Sequence, residues 1–347
     1  MQTKTIACCA PFGGGGLGRH LLEVVEDARA RHELAHYFTH AAPRDDVAAR
    51  VVRLPSLGFL FLYTPLRFSP SWKNFVQGDL FDRAVAGRLP AGDTFVGFNG
   101  QALRSYRRAR QLGYRRLELV SANSHVDNVA RQHQRSLTQF AGIETSWLNA
   151  AQRRKTLREY ELADRIYVAS DYTWQSFVAA GVPARKLARF AFRPDPRYQP
   201  RSSRTGDGVY RVVYVGSLTV MKGIPVLIEA FSRLAGPAEL WLIGGSGTRG
   251  MHRYLADWQR RDPRVRVAPG DPLPHLQRAS VCVHPSYEDG FAYAPMEAIA
   301  CGVPAVVTED TGMKEHITAR VNGYVVPTGD WSALLERLEH IRKDVCG

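Results

Sequence analysis

Cysteine is scarce in this chain. The five cysteines, Cys8, Cys9, Cys282, Cys301 and Cys346, are odd in number and sit mostly in apolar, strand-like runs. None has metal-ligand spacing, so the sequence indicates neither a disulfide framework nor a thiolate metal site, and reduced buried thiols in a cytoplasmic protein are expected. Long apolar runs are missing too: none approaches the ~20 residues a spanning helix needs. The opening MQTKTIACCAPFGGGG enters a strand directly and lacks the apolar core of a signal peptide, which again points to the cytoplasm. Acid is in deficit. Against 46 Lys and Arg stand 33 Asp and Glu, a formal net charge of +13, and the pI is near 9.7. Such a surface attracts polyanions or anionic headgroups. Nucleic acid is not the expected partner, because no binding module is legible and the basic residues are spread along the chain. No clustered Asp/His set stands on the candidate loops, so neither a metal nor another cofactor is expected.

What remains is ordinary material for a soluble fold. With 45% hydrophobic and 23% charged residues over 347 positions, the chain suffices for two α/β domains, each with its own core. The most informative stretch runs from Val281 to Thr308, VCVHPSYEDGFAYAPMEAIACGVPAVVT. Val281–Val283 and Ala305–Val307 read as short strands. Between them Pro295 is expected to open a helix, and Gly302 followed by Pro304 to close it. Met296, Ala298, Ile299 and Ala300 would face inward, with Glu297 as the single acid of the first turn. Upstream, Asp289 and Gly290 lie in a loop. A loop acid, a close-approach glycine and a helix N-terminus can together hold a ligand's hydroxyls near an anion site. A capped βαβ unit with incidental acids would look the same.

The spelling favours the first reading. Asp289-Gly290-Phe291-Ala292, followed eight residues after Asp289 by Glu297-Ala298, resembles the acid–seven residues–acid signature of the retaining GT-B glycosyltransferases of family 4. The resemblance implies two doubly wound, Rossmann-like α/β domains facing across a cleft, a nucleotide-diphosphate sugar as donor, retention of configuration and no bound metal. It gives Asp289 the donor sugar's hydroxyls and Glu297 the ribose. The family usually has Glu at the first acid and Gly where Ala292 stands. Glu288 has the wrong spacing to Glu297 for this role.

Taken in order, the chain begins with a strand at Thr5–Cys9 and the loop Gly13–Gly16, leading to a helix from about Leu17. Gly13, Gly15 and Gly18 formally satisfy G-x-G-x-x-G. The next strand ends in Thr39 and His40 rather than an acid, which argues against a dinucleotide. The glycines still offer bare amides near a helix N-terminus, and the resemblance assigns Gly15 and Gly16 to the donor. Leu54 to Phe75 packs eleven apolar and aromatic residues around Arg67 and Lys73, broken by three prolines. It reads either as core or as an aromatic, basic surface that meets a membrane or an amphipathic acceptor. His125 follows the strand Leu117–Val120, where doubly wound sheets place ligands, and its position resembles the family's active-site histidine. A Pro-, Gly- and Ser-rich linker, PDPRYQPRSSRTGDG, divides residues 1–199 from residues 200–347, and the resemblance implies that the first domain binds acceptor and the second donor.

The second domain opens with the strand Arg211–Val215 and the loop Gly216-Ser217-Leu218-Thr219-Val220-Met221-Lys222-Gly223. The family spells this loop with an arginine where Ser217 stands and with Lys-Gly where Lys222-Gly223 stands, both cations clamping the diphosphate. A hydroxyl cannot replace a bidentate guanidinium. Either another arginine stands in, with Arg19 and Arg249 as candidates, or the diphosphate is held more weakly. Gly245 lies in the loop after the strand Glu239–Ile243, and Ala268–Asp271 resembles the region that reads the base. The resulting expectation is a metal-independent hexosyltransferase with His125, Lys222 and Asp289 at the reaction centre. Its donor contacts would be Gly15, Gly16, Gly216, Ser217, Gly245, Gly290, Phe291, Ala292 and Glu297, and its acceptor a hydroxyl, lipid-linked or amphipathic, reached at the inner membrane face. The competing readings are a nucleotide-sugar epimerase of the same architecture and an inactive nucleotide-sugar-binding subunit.

Overall fold

The computed structural model describes residues 3–53, 69–200 and 207–346. Two compact units emerge. The first comprises Met1–Ala130, Ser146–Ala169 and Thr173–Phe192; the second comprises Arg131–Thr145, Ser170–Tyr172 and Arg193–Gly347. Two short pieces from the first half of the chain thus belong with the second unit. Tyr198, in the linker sequence, packs into that unit's core beside Val213, Ile243 and Ala298.

The first unit holds a seven-stranded parallel sheet: β1 (Lys4–Ala7), β2 (Leu34–Thr39), β3 (Ala49–Val51), β4 (Thr94–Phe98), β5 (Arg116–Ser121), β6 (Arg165–Val168) and β7 (Leu187–Arg189). Their spatial order is β3-β2-β1-β4-β5-β6-β7. The second unit repeats the scheme with β8 (Tyr210–Val215), β9 (Ala238–Ile243), β10 (Val265–Ala268), β11 (Val281–His284), β12 (Ala305–Thr308) and β13 (Gly323–Val326). Here the order is β10-β9-β8-β11-β12-β13. Both sheets reverse direction beside their first strand, the doubly wound topology whose switch point opens a crevice at the strands' C-terminal ends.

The sequence explains why these strands sit at the centre. TFVGF of β4 and AVVT of β12 are buried at every position, as expected of parallel strands covered by helices on both faces. The helix Ile224–Ser232 is apolar nearly all round and has seven buried residues, so it lies in the core of its unit with Tyr210, Leu240 and Leu338.

Several boundaries differ from expectation. The helix expected from about Leu17 begins at Gly15, which puts Gly15 and Gly16 in its first turn instead of the preceding loop. The helix expected to open at Pro295 begins at Tyr293. Proline is tolerated anywhere in a first turn, whose N–H groups have no intrahelical partner, so it does not fix the first residue. Glu297 consequently lies beyond the first turn. Buried positions of that helix are Tyr293, Ala294, Pro295, Glu297 and Ala298, while Met296, Ile299 and Ala300 are only half-buried. Of the Leu54–Phe75 stretch, residues 54–68 lie outside the described residues. Its remainder enters the helix Pro70–Arg88, where Trp72 is exposed and meets Phe75 edge to face. Cys8, Cys282 and Cys301 are buried and Cys9 half-buried, all as free thiols.

Candidate functional site

The loops that follow β8 and β11 lie side by side, because these two strands flank the switch point of the second sheet. After β8 the chain turns through Gly216 and Ser217 and runs to Gly223, which caps the helix Ile224–Ser232 in the left-handed region with φ of 71°. Glycine is required there twice over. L-residues avoid that φ, and a Cβ would stand 1.9 Å from the carbonyl oxygen of Pro285 in the loop after β11. This close approach sets Lys222 against the β11 loop.

The result is an ion pair joining the two loops. Lys222 Nζ donates to Asp289 Oδ2 at 2.6 Å. The same oxygen is 2.9 Å from Nε2 of His284, the last residue of β11. His284 is buried and its ring lies parallel to that of Tyr214 at 6.0 Å. Its Nδ1 is buried without a hydrogen-bond partner among the described residues, so the ring's polar contact there is Nε2 donating to the carboxylate. Burial alone would raise the pKa of Asp289. The Lys222 charge and the His284 hydrogen bond more than reverse this, so the carboxyl lies well below the usual carboxylate range.

The backbone around Asp289 is also fixed. Gly312 N–H donates to the Asp289 carbonyl at 2.9 Å, and Ser170 Oγ donates to the Gly290 carbonyl at 2.9 Å. Phe291 and Ala292 are buried, and Phe291 meets Tyr293 and His316 edge to face. Glu297 is 2% exposed, an ionisable group held inside the helix that follows the Asp289 loop. Glu288 is fully buried and belongs to the interior of that loop.

A third loop joins them. Gly244 follows β9 at φ of 153°, and a Cβ there would stand 1.9 Å from the Gly216 carbonyl oxygen. Leu218 N–H donates to the Gly245 carbonyl at 3.0 Å. Ser217 and Gly245 are both exposed beside this link. Arg249, a candidate for the missing cation, is exposed and opens the helix Arg249–Arg261 one residue after its N-cap Thr248. Gly216, Ser217, Lys222, Gly245, Asp289, Gly290, Phe291, Ala292 and Glu297 therefore fall on three adjoining loops and one helix of the second unit.

The first unit holds the other candidates. Gly15 and Gly16 are exposed in the first turn of the helix Gly15–Ala30, and a Cβ on either would meet no described atom within 4 Å. Arg19 lies half-buried one turn further on. His125 follows β5 and is buried between Tyr160 and Phe177, at ring separations of 5.0 and 5.2 Å. Asp127 N–H donates to its Nδ1 at 3.3 Å, which requires that nitrogen to be unprotonated. Burial lowers the pKa of His125 below the ordinary 6.5, the Arg153 charge adding to this and Asp127 opposing it.

His284 is the contact that sequence reasoning missed. Its position at the C-terminal end of a central strand was the available signal, but one histidine at a strand end is too common a feature to single out. Among the described residues, no group of three or more His, Cys, Asp or Glu side chains could hold a metal ion.

Residues 209–344 match the model of the family Glycosyl transferases group 1. The putative colanic acid biosynthesis glycosyltransferase WcaL of Escherichia coli (strain K12) is 32% identical over 174 residues, 46% of this chain and 42% of the relative. A D-inositol 3-phosphate glycosyltransferase of Salinispora tropica is 33% identical over 37% of this chain and 31% of its own length. The chain thus spans under half the length of these curated relatives. Likeness to solved structures extends over nearly the whole chain. Sucrose-phosphate synthase from Thermosynechococcus elongatus superimposes with a TM-score of 0.74 at 19% identity, covering 99% of this chain and 90% of that one. Anabaena Alr3699/HepE in complex with UDP-glucose gives 0.70 at 17% identity, with the same coverage. WaaG, a glycosyltransferase involved in lipopolysaccharide biosynthesis, gives 0.69 at 17% identity, over 98% of this chain and 90% of that one. These likenesses establish the fold as that of the GT-B glycosyltransferases, built from two Rossmann-like domains.

Proposed function

We propose that this protein transfers a hexose from a nucleotide-diphosphate sugar to an acceptor hydroxyl, with retention and without a metal. The observation that carries the reading is the Lys222–Asp289 pair at the switch point between β8 and β11, within the segment that matches the group 1 model. The UDP-glucose complex of the Anabaena neighbour supports a uridine nucleotide as the first donor to try.

On this reading the sugar gains oxocarbenium character while negative charge builds on the departing diphosphate. Lys222 stabilises that charge as a preorganised donor. Asp289 Oδ2 is occupied by Lys222 and His284, which leaves Oδ1 to accept from a sugar hydroxyl. Glu297 takes the ribose, and His125, neutral near pH 7, contacts the donor sugar on the acceptor side. The leaving phosphate accepts the acceptor's proton, so no side-chain base is required. The acceptor is a lipid-linked or amphipathic hydroxyl compound reached at the inner face of the cytoplasmic membrane. The lipopolysaccharide role of WaaG supports this choice.

Thermal unfolding with UDP-, GDP- and ADP-sugars tests the donor. A ligand at 100 times its dissociation constant adds about 2.7 kcal/mol. With the donor that stabilises, the glycosidic coupling constant of the product reports configuration, and excess chelator reports metal dependence. A retained anomer formed at an unchanged rate in chelator is expected. An inverted anomer, or activity restored only by Mg²⁺ or Mn²⁺, removes the reading.

A further inference from the structure

The loops after β8 and β9 are pinned from outside their own sequence. The pinning residue is Glu144, in the Arg131–Thr145 piece that packs with the second unit. Its Oε2 accepts from Val220 N–H at 2.6 Å, two residues before Lys222. Its Oε1 accepts from Thr248 Oγ at 2.7 Å, the hydroxyl that caps the helix Arg249–Arg261 by accepting from Met251 N–H. One carboxylate therefore spans both loops, with a charge-assisted bond to each.

The piece that carries Glu144 is itself seated firmly. Arg135 donates to the Thr328 carbonyl at 2.7 Å, and Gln139 Nε2 to the Gly329 carbonyl at 2.8 Å. Tyr287 Oη donates to Gln139 Oε1 at 2.5 Å. Next to Glu144, the Ile143 carbonyl oxygen stands 1.8 Å from where a Cβ of residue 250 would be. Gly250 is what lets the segment approach.

We propose that Glu144 is a positioning residue for the donor diphosphate, fixing the Gly216–Gly223 loop and the Gly244–Thr248 loop at one separation. The inference rests on the proposed function and deepens it: Glu144 touches no ligand and acts through Lys222 and the amides of the two loops. It also bears on Ser217. With no guanidinium at that position to gather the phosphates, the rigid spacing of two amide-lined loops carries more of the diphosphate's recognition.

The test compares wild type, Glu144→Ala and Glu144→Gln by amide hydrogen exchange and by nucleoside-diphosphate titration, using UDP, GDP and ADP. Glutamine keeps both contacts, since its Oε1 can accept from Val220 and its Nε2 can donate to Thr248. The expected result is faster exchange at Val220 and its loop neighbours in Glu144→Ala, with nucleotide affinity falling about tenfold at an intact fold. Glu144→Gln should stay within about threefold of wild type in affinity. Unchanged exchange or unchanged affinity in Glu144→Ala overturns the proposal. Tighter nucleotide binding also overturns it, because the carboxylate would then be competing with the ligand for the Val220 amide. If the wild type binds no nucleotide, it is the donor reading that fails, and the exchange arm alone decides whether Glu144 pins the loops.

Discussion

One carboxylate oxygen, Oδ2 of Asp289, receives both Lys222 Nζ and His284 Nε2, and this holds Asp289 charged in a buried place. The linkage has a definite sign. A carboxyl with a depressed folded pKa contributes stability in full above its ordinary 3.8 and loses it as pH falls through the folded value. Asp289→Asn should therefore be less stable than wild type at neutral pH, with the gap narrowing steadily as pH falls below about 4. Urea unfolding across that range measures it, and a gap independent of pH would sink the assignment. Glu297 makes a different prediction. A ribose contact is present in ground and transition states alike, so Glu297→Gln should raise the donor KM with little change in kcat. Unchanged KM with collapsed kcat would instead place Glu297 at the reacting atoms. That the two acids fall on one loop and on the helix that follows it was legible in the sequence, because their spacing is local and both elements are short. His284 was visible only as a strand end, and its tie to Asp289 needs the turn through Pro285 to bring it round.

Glycines permit the close approaches between the elements of the site. Gly223 combines φ of 71° with a carbonyl 1.9 Å from its missing Cβ, so Gly223→Ala meets both backbone strain and a clash. A loss of roughly 1–3 kcal/mol in unfolding free energy is expected from the strain alone, measurable by urea titration. A neutral substitution would mean that the β8 and β11 loops do not approach so closely. The sequence showed these elements well, since glycine-rich turns and apolar strands are local signals. It misplaced the starts of two helices, at Gly15 and Tyr293, because neither glycine nor a first-turn proline marks the first helical residue. Glu144 was not legible at all. It lies 76 residues from Val220 and 104 from Thr248, and no period or spacing connects an acid to amides so distant in the chain.

At the scale of the whole molecule, a net charge of +13 either serves solubility alone or meets an anionic surface. Among the described residues, no helix is long and apolar enough to cross a membrane. Exposed arginines gather on two helices of the first unit that pack together through Asp82 and Ser105: Arg83 and Arg88 on one, Arg107 and Arg108 on the other. Co-sedimentation with anionic vesicles is expected, weakened by salt and by Phe59→Ser with Phe61→Ser in the aromatic stretch. A folded protein that ignores anionic vesicles at low salt would leave that stretch as core. Two-domain organisation was readable from the linker composition. The assignment of Arg131–Thr145 and Ser170–Tyr172 to the second unit was not, since it depends on contacts with residues far along the chain.

The central claim is that the Lys222–Asp289 pair marks a nucleotide-sugar donor site, and calorimetric titration of wild type and Lys222→Ala with UDP-, GDP- and ADP-glucose tests it most directly. At least one of these sugars should bind the wild type with one-to-one stoichiometry. Lys222→Ala, folded to the same melting profile, should bind that sugar at least about tenfold more weakly, a loss of about 1.4 kcal/mol or more. Equal affinity in the two proteins, or no binding of any nucleotide sugar to the wild type, would contradict it.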